Sequence, residues 1–232
     1  MLTIRHIHQF FAGQVLYPLI LSSLLSLGIY AGRVYLARDM GPYRGLVWNL
    51  ALAWLPYLFS LLAASLHALL PRQWWLLLVP GALWMLFFPN APYIVTDFLH
   101  LHERPYVPLW YDIILLATFS WTGIFLAIAS LRTMQVLIKR YLGQWISWLF
   151  VAAALALSGL GIYLGRFERW NSWDILFHPK RILADIAIRV VNPMENLRFI
   201  GFTVLFTAFL LVCYLTFISI QPIASDRDLI DR

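Results

Sequence analysis

The chain has 232 residues, 62% of them hydrophobic and 12% charged, and its mean hydropathy is +0.76. A soluble domain carries about 45–50% apolar and about 25% charged residues, so the composition excludes an ordinary soluble fold and defines a polytopic membrane protein. The formal charge of +6 is accounted for by basic loops facing anionic headgroups, which makes membrane lipids rather than nucleic acid the expected partners.

The first apolar run follows Arg5. It is longer than the h-region of a signal peptide and ends in no A-x-A site, so it reads as an uncleaved anchor leading into a span over about Val15–Ala37. The second span covers about Gly45–His67. The third begins at Trp74 and is interrupted. A helix from Trp74 to Phe88 extends only ~22 Å, short of a hydrocarbon core ~30 Å thick, whereas one continued to Leu101 reaches ~42 Å. Pro89-Asn90-Ala91-Pro92 lies between those limits, so the third span is broken at Pro89–Pro92 near a membrane face, with Asn90 able to cap a restarted helix. Irregular backbone at that depth requires surrounding protein or a wet cavity. In the restarted helix Tyr93, Asp97, His100 and Arg104 share one face beside Ile94, Val95, Phe98 and Leu99, a pattern that turns a polar stripe toward the bundle or its cavity; a surface helix meeting headgroups is the alternative. His102 and Glu103 point into solvent.

The fourth span covers about Trp110–Leu131, with Asp112 in its first turn where a carboxylate complements the helix dipole, and the fifth about Trp145–Leu164. Beyond it, Gly165–Asp174 reads GRFERWNSWD. Arg166, Arg169 and Trp173 can share a helical side, Arg over Trp offers cation–π packing, and Asn171 with Asp174 can cap a turn. The stretch PKRILADIAIRVVNP then predicts an amphipathic helix over about 179–191, with Ile182, Leu183, Ile186 and Val190 apolar and Arg181, Asp185 and Arg189 as a polar stripe. It fits either the membrane interface or the bundle's flank. The sixth span is about Leu197–Ile220, and the lone Cys213 inside it excludes an intrachain disulfide. Trp74, Trp75, Trp110, Tyr111, Trp145 and Trp148 stand at span ends as interfacial belts. The fold class is therefore an all-α polytopic bundle of six spans in one integral domain, residues 1–232.

Six spans place both termini and the 132–144 loop on one face. The other face takes eight acids: Asp39, Asp97, Glu103, Asp112, Glu168, Asp174, Asp185 and Glu195, leaving Asp226, Asp228 and Asp231 in the tail. The acid-rich face carries ten Lys and Arg and the other seven, which nominally favours a cytoplasmic acid-rich face; without Arg166 and Arg169, both candidate site residues, the counts nearly tie. The acid-free 132–144 loop, with Arg132, Lys139 and Arg140, argues instead for cytoplasmic termini in a multi-pass protein of the inner (plasma) membrane.

FFPNAPYIVTDFLHL, PLWYDIILL and GIYLGRFERWNSWDIL, in that order, resemble the bacterial membrane proteins grouped as domain of unknown function 1361. The resemblance runs from about the second span to the sixth. It implies a polytopic bacterial membrane protein and matches recurrent polar and aromatic positions at Asn90, Pro92, Tyr93, Asp97, His100, Trp110, Asp112, Arg166, Arg169, Asn171, Trp173 and Asp174. It implies no particular activity.

Two functions fit these residues. In the first, a polar site at one membrane face binds an anionic lipid or lipid-linked group through Arg166, Arg169, Asn171, Asp174, Asn90 and Tyr93, the two arginines pairing with phosphate or carboxylate oxygens and facing Asp97 and His100 across a cavity. In the second, the protein is an interfacial hydrolase or transferase acting on a lipid-linked anionic substrate. Asp97, His100 and Asp112 are then the catalytic candidates, and Asp97, His100, Asp112 and Asp174 the donors of a metal-dependent version. No cofactor is specified: there is no nucleotide-binding glycine motif, and no serine or cysteine nucleophile motif.

Overall fold

The structure, a computed structural model, describes residues 14–38 and 41–220. The anchor segment with Arg5, the acid Asp39 and the tail acids Asp226, Asp228 and Asp231 lie outside the described residues.

The elements in chain order are α1 (Leu16–Ala37), α2 (Gly45–Leu69), α3 (Leu78–Phe87), α4 (Asn90–Tyr93), α5 (Leu109–Leu142), α6 (Gln144–Phe167), α7 (Asp174–Phe177), α8 (Pro179–Val191) and α9 (Leu197–Ile220). Short 3-10 segments occupy Gly41–Tyr43, Trp74–Leu77 and Ile94–His100, and there is no strand among the described residues. Six stretches are long and apolar enough to cross a membrane: α1, α2, the interrupted run Trp74–His100, α5, α6 and α9. The all-α, six-span expectation holds.

Helix α5 is the axis of the bundle, packing on α1, α2, α6 and the segment after the break. It does not stop near Leu131 but continues to Leu142, so the expected 132–144 loop is helix followed by a turn at Gly143. Hydropathy falls there, but Arg132, Gln135, Lys139 and Arg140 are good helix formers, and basic residues in a last turn complement the dipole.

The break is a tightening rather than an open kink. Phe88, Pro89 and Ile94 all keep right-handed helical dihedrals. Pro89 and Pro92 lack N–H groups, and the ladder passes them by Ala91 N–H to the Phe88 carbonyl at 3.2 Å and Tyr93 N–H to the Pro89 carbonyl at 3.1 Å. Asn90 makes no cap. Its amide donates backward to the Phe87 carbonyl (3.0 Å) and across to Ser172 Oγ (2.9 Å). The restart after Tyr93 is 3-10 rather than α, so Asp97 and His100, three residues apart, lie along one ridge, while Arg104 falls beyond the helix end. The break sits deep in protein because neighbouring helices offer glycines. A Cβ at Gly123 of α5 would collide with the Ala91 carbonyl oxygen, and one at Gly161 of α6 would stand 3.0 Å from Pro89 Cγ.

The core is built on Tyr57, Trp84, Phe88, Leu115, Leu116, Phe119 and Leu126, all essentially inaccessible. Lipid tails are as apolar as these side chains, so close packing and interhelical hydrogen bonds have to supply specificity. Ser22 meets Thr122 at 2.5 Å between α1 and α5, Trp54 Nε1 donates to Ser23 Oγ at 3.1 Å, and Tyr214 bonds Gln135 between α9 and α5. Trp74, Trp75, Trp110 and Trp145 are exposed as belt residues should be. Tyr111 and Trp148 instead turn inward, Tyr111 donating to the Ile29 carbonyl and Trp148 packing edge-on to Tyr214.

Helix α8 forms as expected but docks on a mixed face. Ile182 and Ile186 pack with Tyr163, Leu164 and Phe199, while Asp185 and Arg189, on the same side, meet the end of α6. Leu183, Ile188, Val190 and Val191 remain exposed, with Lys180 and Arg181 beside them. The expected apolar stripe is thus divided between bundle and exterior.

Candidate functional site at one end of the bundle

The last turn of α1, the Gly41–Tyr43 turn, the first turn of α2, the Ile94–His100 segment, the first turn of α5 and the last turn of α6 converge at one end of the bundle. Two buried ion pairs tie them together. Arg33 of α1 donates through Nε to Asp112 Oδ1 at 2.8 Å, with side-chain exposures of 3% and 1%. Arg166 of α6 meets Asp97 Oδ1 at 3.1 Å, at 11% and 8%. Asp97 Oδ2 accepts from Asn49 Nδ2 at 2.9 Å, so both its oxygens are engaged. Arg166 also donates to the Tyr93 hydroxyl (3.3 Å) and the Thr96 carbonyl, and its guanidinium lies 5.4 Å from the Tyr93 ring centroid.

Tyr43 packs on the first pair and lines the same cleft as the second. Its ring is 2% exposed and packs against the guanidinium of Arg33 at 4.8 Å and that of Arg104 at 5.3 Å. Burial pushes its phenol above the usual tyrosine range and the Asp112 charge adds to the shift, while Arg104 opposes it, so the group stays protonated and donates to the His100 carbonyl at 3.5 Å. Between these parts opens a cleft of about 180 Å³ lined by Tyr43, Gly45, Leu46, Asn49, Asp97, His100 and Arg166.

A second polar cluster fastens α8 to the end of α6. Arg189 reaches Glu168 Oε1 at 2.7 Å and Asp185 Oδ1 at 2.9 Å, and Trp170 Nε1 donates to Asp185 Oδ2 at 3.2 Å. Burial pushes the Asp185 carboxyl upward, but hydrogen bonds from Arg189 and Trp170 and the Arg189 charge outweigh it and hold the group below its ordinary 3.8. The cation–π contacts expected on tryptophan fall elsewhere: Arg198 lies 4.3 Å from the Phe167 ring, and the other arginines sit on tyrosines.

Of the residues singled out in the sequence, Tyr93, Asp97, His100 and Arg166 come together. Asn90 supports them from behind, holding Ser172 of the loop after α6. Asp112 belongs to the Arg33 pair and does not line the cleft. Asn171 and Asp174 close their own turn, the Asn171 N–H reaching Asp174 Oδ2 at 2.7 Å, and so form the expected cap. Arg169 does not face Asp97: α6 ends at Phe167, and a left-handed backbone at Arg169 (φ 60°) swings its side chain out, where it is exposed. The four proposed metal donors are not assembled either. Among the described residues no three His, Cys, Asp or Glu side chains are grouped to hold a metal, because Asp97, Asp112 and Asp174 each serve a different partner. The metal-dependent version of the enzyme reading loses its donor set.

Sequence reasoning missed Arg33, Tyr43 and Asn49. Arg33 and Asn49 had a usable signal, since each is an isolated polar residue in an otherwise apolar span and such residues turn inward. Tyr43 had none.

Six apolar crossings with a charged, hydrogen-bonded cluster closing one end define a multi-pass integral membrane protein. The family model described as "Protein of unknown function (DUF1361)" matches residues 48–213, and the chain belongs to that family. The match includes Asn49, Asp97, Asp112 and Arg166, while Arg33 and Tyr43 precede it. No curated protein matches the chain, and no solved structure does.

Proposed function

We propose that the protein binds the headgroup of an anionic lipid or lipid-linked group at one face of a bacterial inner membrane, in the cleft between α2, the Ile94–His100 segment and α6. The observation that carries this reading is the cleft itself, about 180 Å³ and lined by Asn49, Asp97, His100 and Arg166, at the end of helices with apolar outer surfaces. At about 30 Å³ per water it holds the equivalent of about six waters, the scale of a phosphate with its neighbouring atoms and far below a whole lipid. Acyl chains then lie outside, along exposed side chains such as Trp48, Trp110 and Ile113. Charge favours an anion: Arg166 lines the cleft, Arg33 and Arg104 pack on the Tyr43 ring that forms one of its walls, exposed Arg44 adjoins the lining residue Gly45, and the acids paired there among the described residues are Asp97 and Asp112. Native mass spectrometry of protein extracted in mild detergent tests this. Wild type retains anionic lipid, and Asn49→Ala retains less; equal retention by the two overturns the cleft assignment.

One observation supports the interfacial-enzyme reading: exposed His100 lines the same cleft as Asp97, where an imidazole can exchange protons with a bound ligand. That reading requires His100→Ala to keep lipid retention while losing conversion of a lipid-linked substrate.

A further inference from the structure

We propose that Arg104 is the anion-reading residue of this site, holding a phosphate-type oxyanion at the mouth of the cleft; the inference rests on the headgroup reading above and names its ligand chemistry. Two guanidinium groups, Arg33 and Arg104, pack on the Tyr43 ring, and a third, Arg166, lines the cleft that this ring walls; two of the three have carboxylate partners. Arg33 is taken by Asp112 and Arg166 by Asp97. Arg104 has no carboxylate within ion-pair distance among the described residues, and its neighbour Glu103 is exposed and forms no ion pair with it.

The hydrogen bonds of Arg104 point the same way. A guanidinium has five N–H donors in a rigid fork. Here Nη2 lies 3.5 Å from the His100 carbonyl and 3.2 Å from His102 Nδ1, both long for a charged donor, and the guanidinium also acts on the Tyr43 hydroxyl, a neutral partner. Nε is buried without any partner. A buried N–H of a charged group left unmatched is costly, and native structures rarely leave one, so the fold has not used up this guanidinium on its own structure.

The group is nevertheless held in place. The tight turn closed by the Arg104–Val107 bridge carries it, with Val107 buried at 3% and Tyr106 at φ 75°. The buried Tyr43 ring supports it at 5.3 Å, and the same ring is a wall of the cleft. The Arg104 side chain is only half-buried, so a ligand has access. The half-buried outer edge of a planar fork, fixed on an aromatic face and with no carboxylate in ion-pair range among the described residues, is suited to paired oxygens of phosphate.

The test uses the full chain in neutral detergent micelles with three probes: short-chain phosphatidylglycerol, short-chain phosphatidylcholine and inorganic phosphate. Wild type is expected to bind phosphatidylglycerol about tenfold tighter than phosphatidylcholine, with Arg104→Gln losing that preference and Arg104→Lys keeping part of it. Arginine modification by phenylglyoxal, read by mass spectrometry on wild type alone, gives an answer even if Arg104→Gln fails to fold. Phosphatidylglycerol should protect Arg104 and leave exposed Arg169 reactive. Displacement of the lipid by inorganic phosphate makes free phosphate a competing ligand of Arg104; no displacement makes the lipid headgroup its source. If wild type binds neither lipid, the headgroup reading fails and takes this inference with it. If phosphatidylglycerol binds and Asn49→Ala abolishes it, while Arg104 is neither protected nor needed for the preference, the cleft stands and the assignment to Arg104 is overturned.

Discussion

The two ion pairs at the site end of the bundle differ in what surrounds them. Arg33 and Asp112 are sealed, with side-chain exposures of 3% and 1%, whereas Arg166 and Asp97, at 11% and 8%, form one side of an open cleft. Asp112 meets its cation at the start of α5, where the helix dipole also acts on it. Asp97 divides its oxygens between Arg166 and Asn49 and stands where solvent or a ligand can reach. A sealed pair has no replacement for a lost partner. A pair at a cleft has neighbours, water and ligand to fall back on, so the first acts as a brace and the second as a brace that is also a wall of the site.

That comparison breaks most visibly at Asp112. Asp112→Asn strands Arg33 and should cost ~3–5 kcal/mol, measured as a fall in the thermal midpoint of the purified protein, with Arg33→Gln restoring part of it. Asp97→Asn should cost less, about 2–3 kcal/mol, because Arg166 keeps the Tyr93 hydroxyl, the Thr96 carbonyl and water as acceptors. If Asp97→Asn costs more than Asp112→Asn, the distinction between sealed and open pairs is wrong. A double-mutant cycle sharpens it: Asp97→Asn should couple with Arg166→Gln and simply add with Arg169→Gln. Coupling to Arg169 would reverse the partner assignment.

The packing that presents Asp97 is testable at Gly123. Gly123→Ala pushes a Cβ into the Ala91 carbonyl and should cost about 1–3 kcal/mol while lowering lipid retention, since the break must move away from α5. Unchanged stability and retention would show that the break is not held there.

The smallest effect belongs to the α8 fastening, where a partly exposed pair is worth about 0–1 kcal/mol. The Asp185 carboxyl lies below its ordinary 3.8, so its contribution is complete above that value and is lost as pH falls through the lower native one. The protection factors of the α8 amides, intrinsic exchange rates divided by the observed rates at each pH, should therefore be constant from neutrality to that range and fall below it, and Asp185→Asn should remove the dependence. Loosening already near neutrality would place the titration on another group.

The sequence by itself determined the class, the number of spans and the place of the break. Each follows from a property local to a segment: an apolar run of about 20 residues can only be satisfied as helix in a bilayer, and two prolines three apart remove two ladder donors wherever they stand. It also put Asp97, His100 and Arg166 forward, because ionisable groups beside apolar spans are costly unless partnered. Tertiary structure decided the partners. Helical periodicity carried past Phe167 places Arg169 with Arg166, but a single left-handed residue reverses its direction, and α-helical spacing carried past Tyr93 places Arg104 with Asp97, whereas the chain winds as 3-10 and ends at His100. Arg33 and Asp112 lie 79 residues apart, and only the packing of α1 on α5 makes one the counter-ion of the other. The cost of a buried charge is legible in one chain segment; the group that offsets it stands on another, and its identity is a property of the packed bundle.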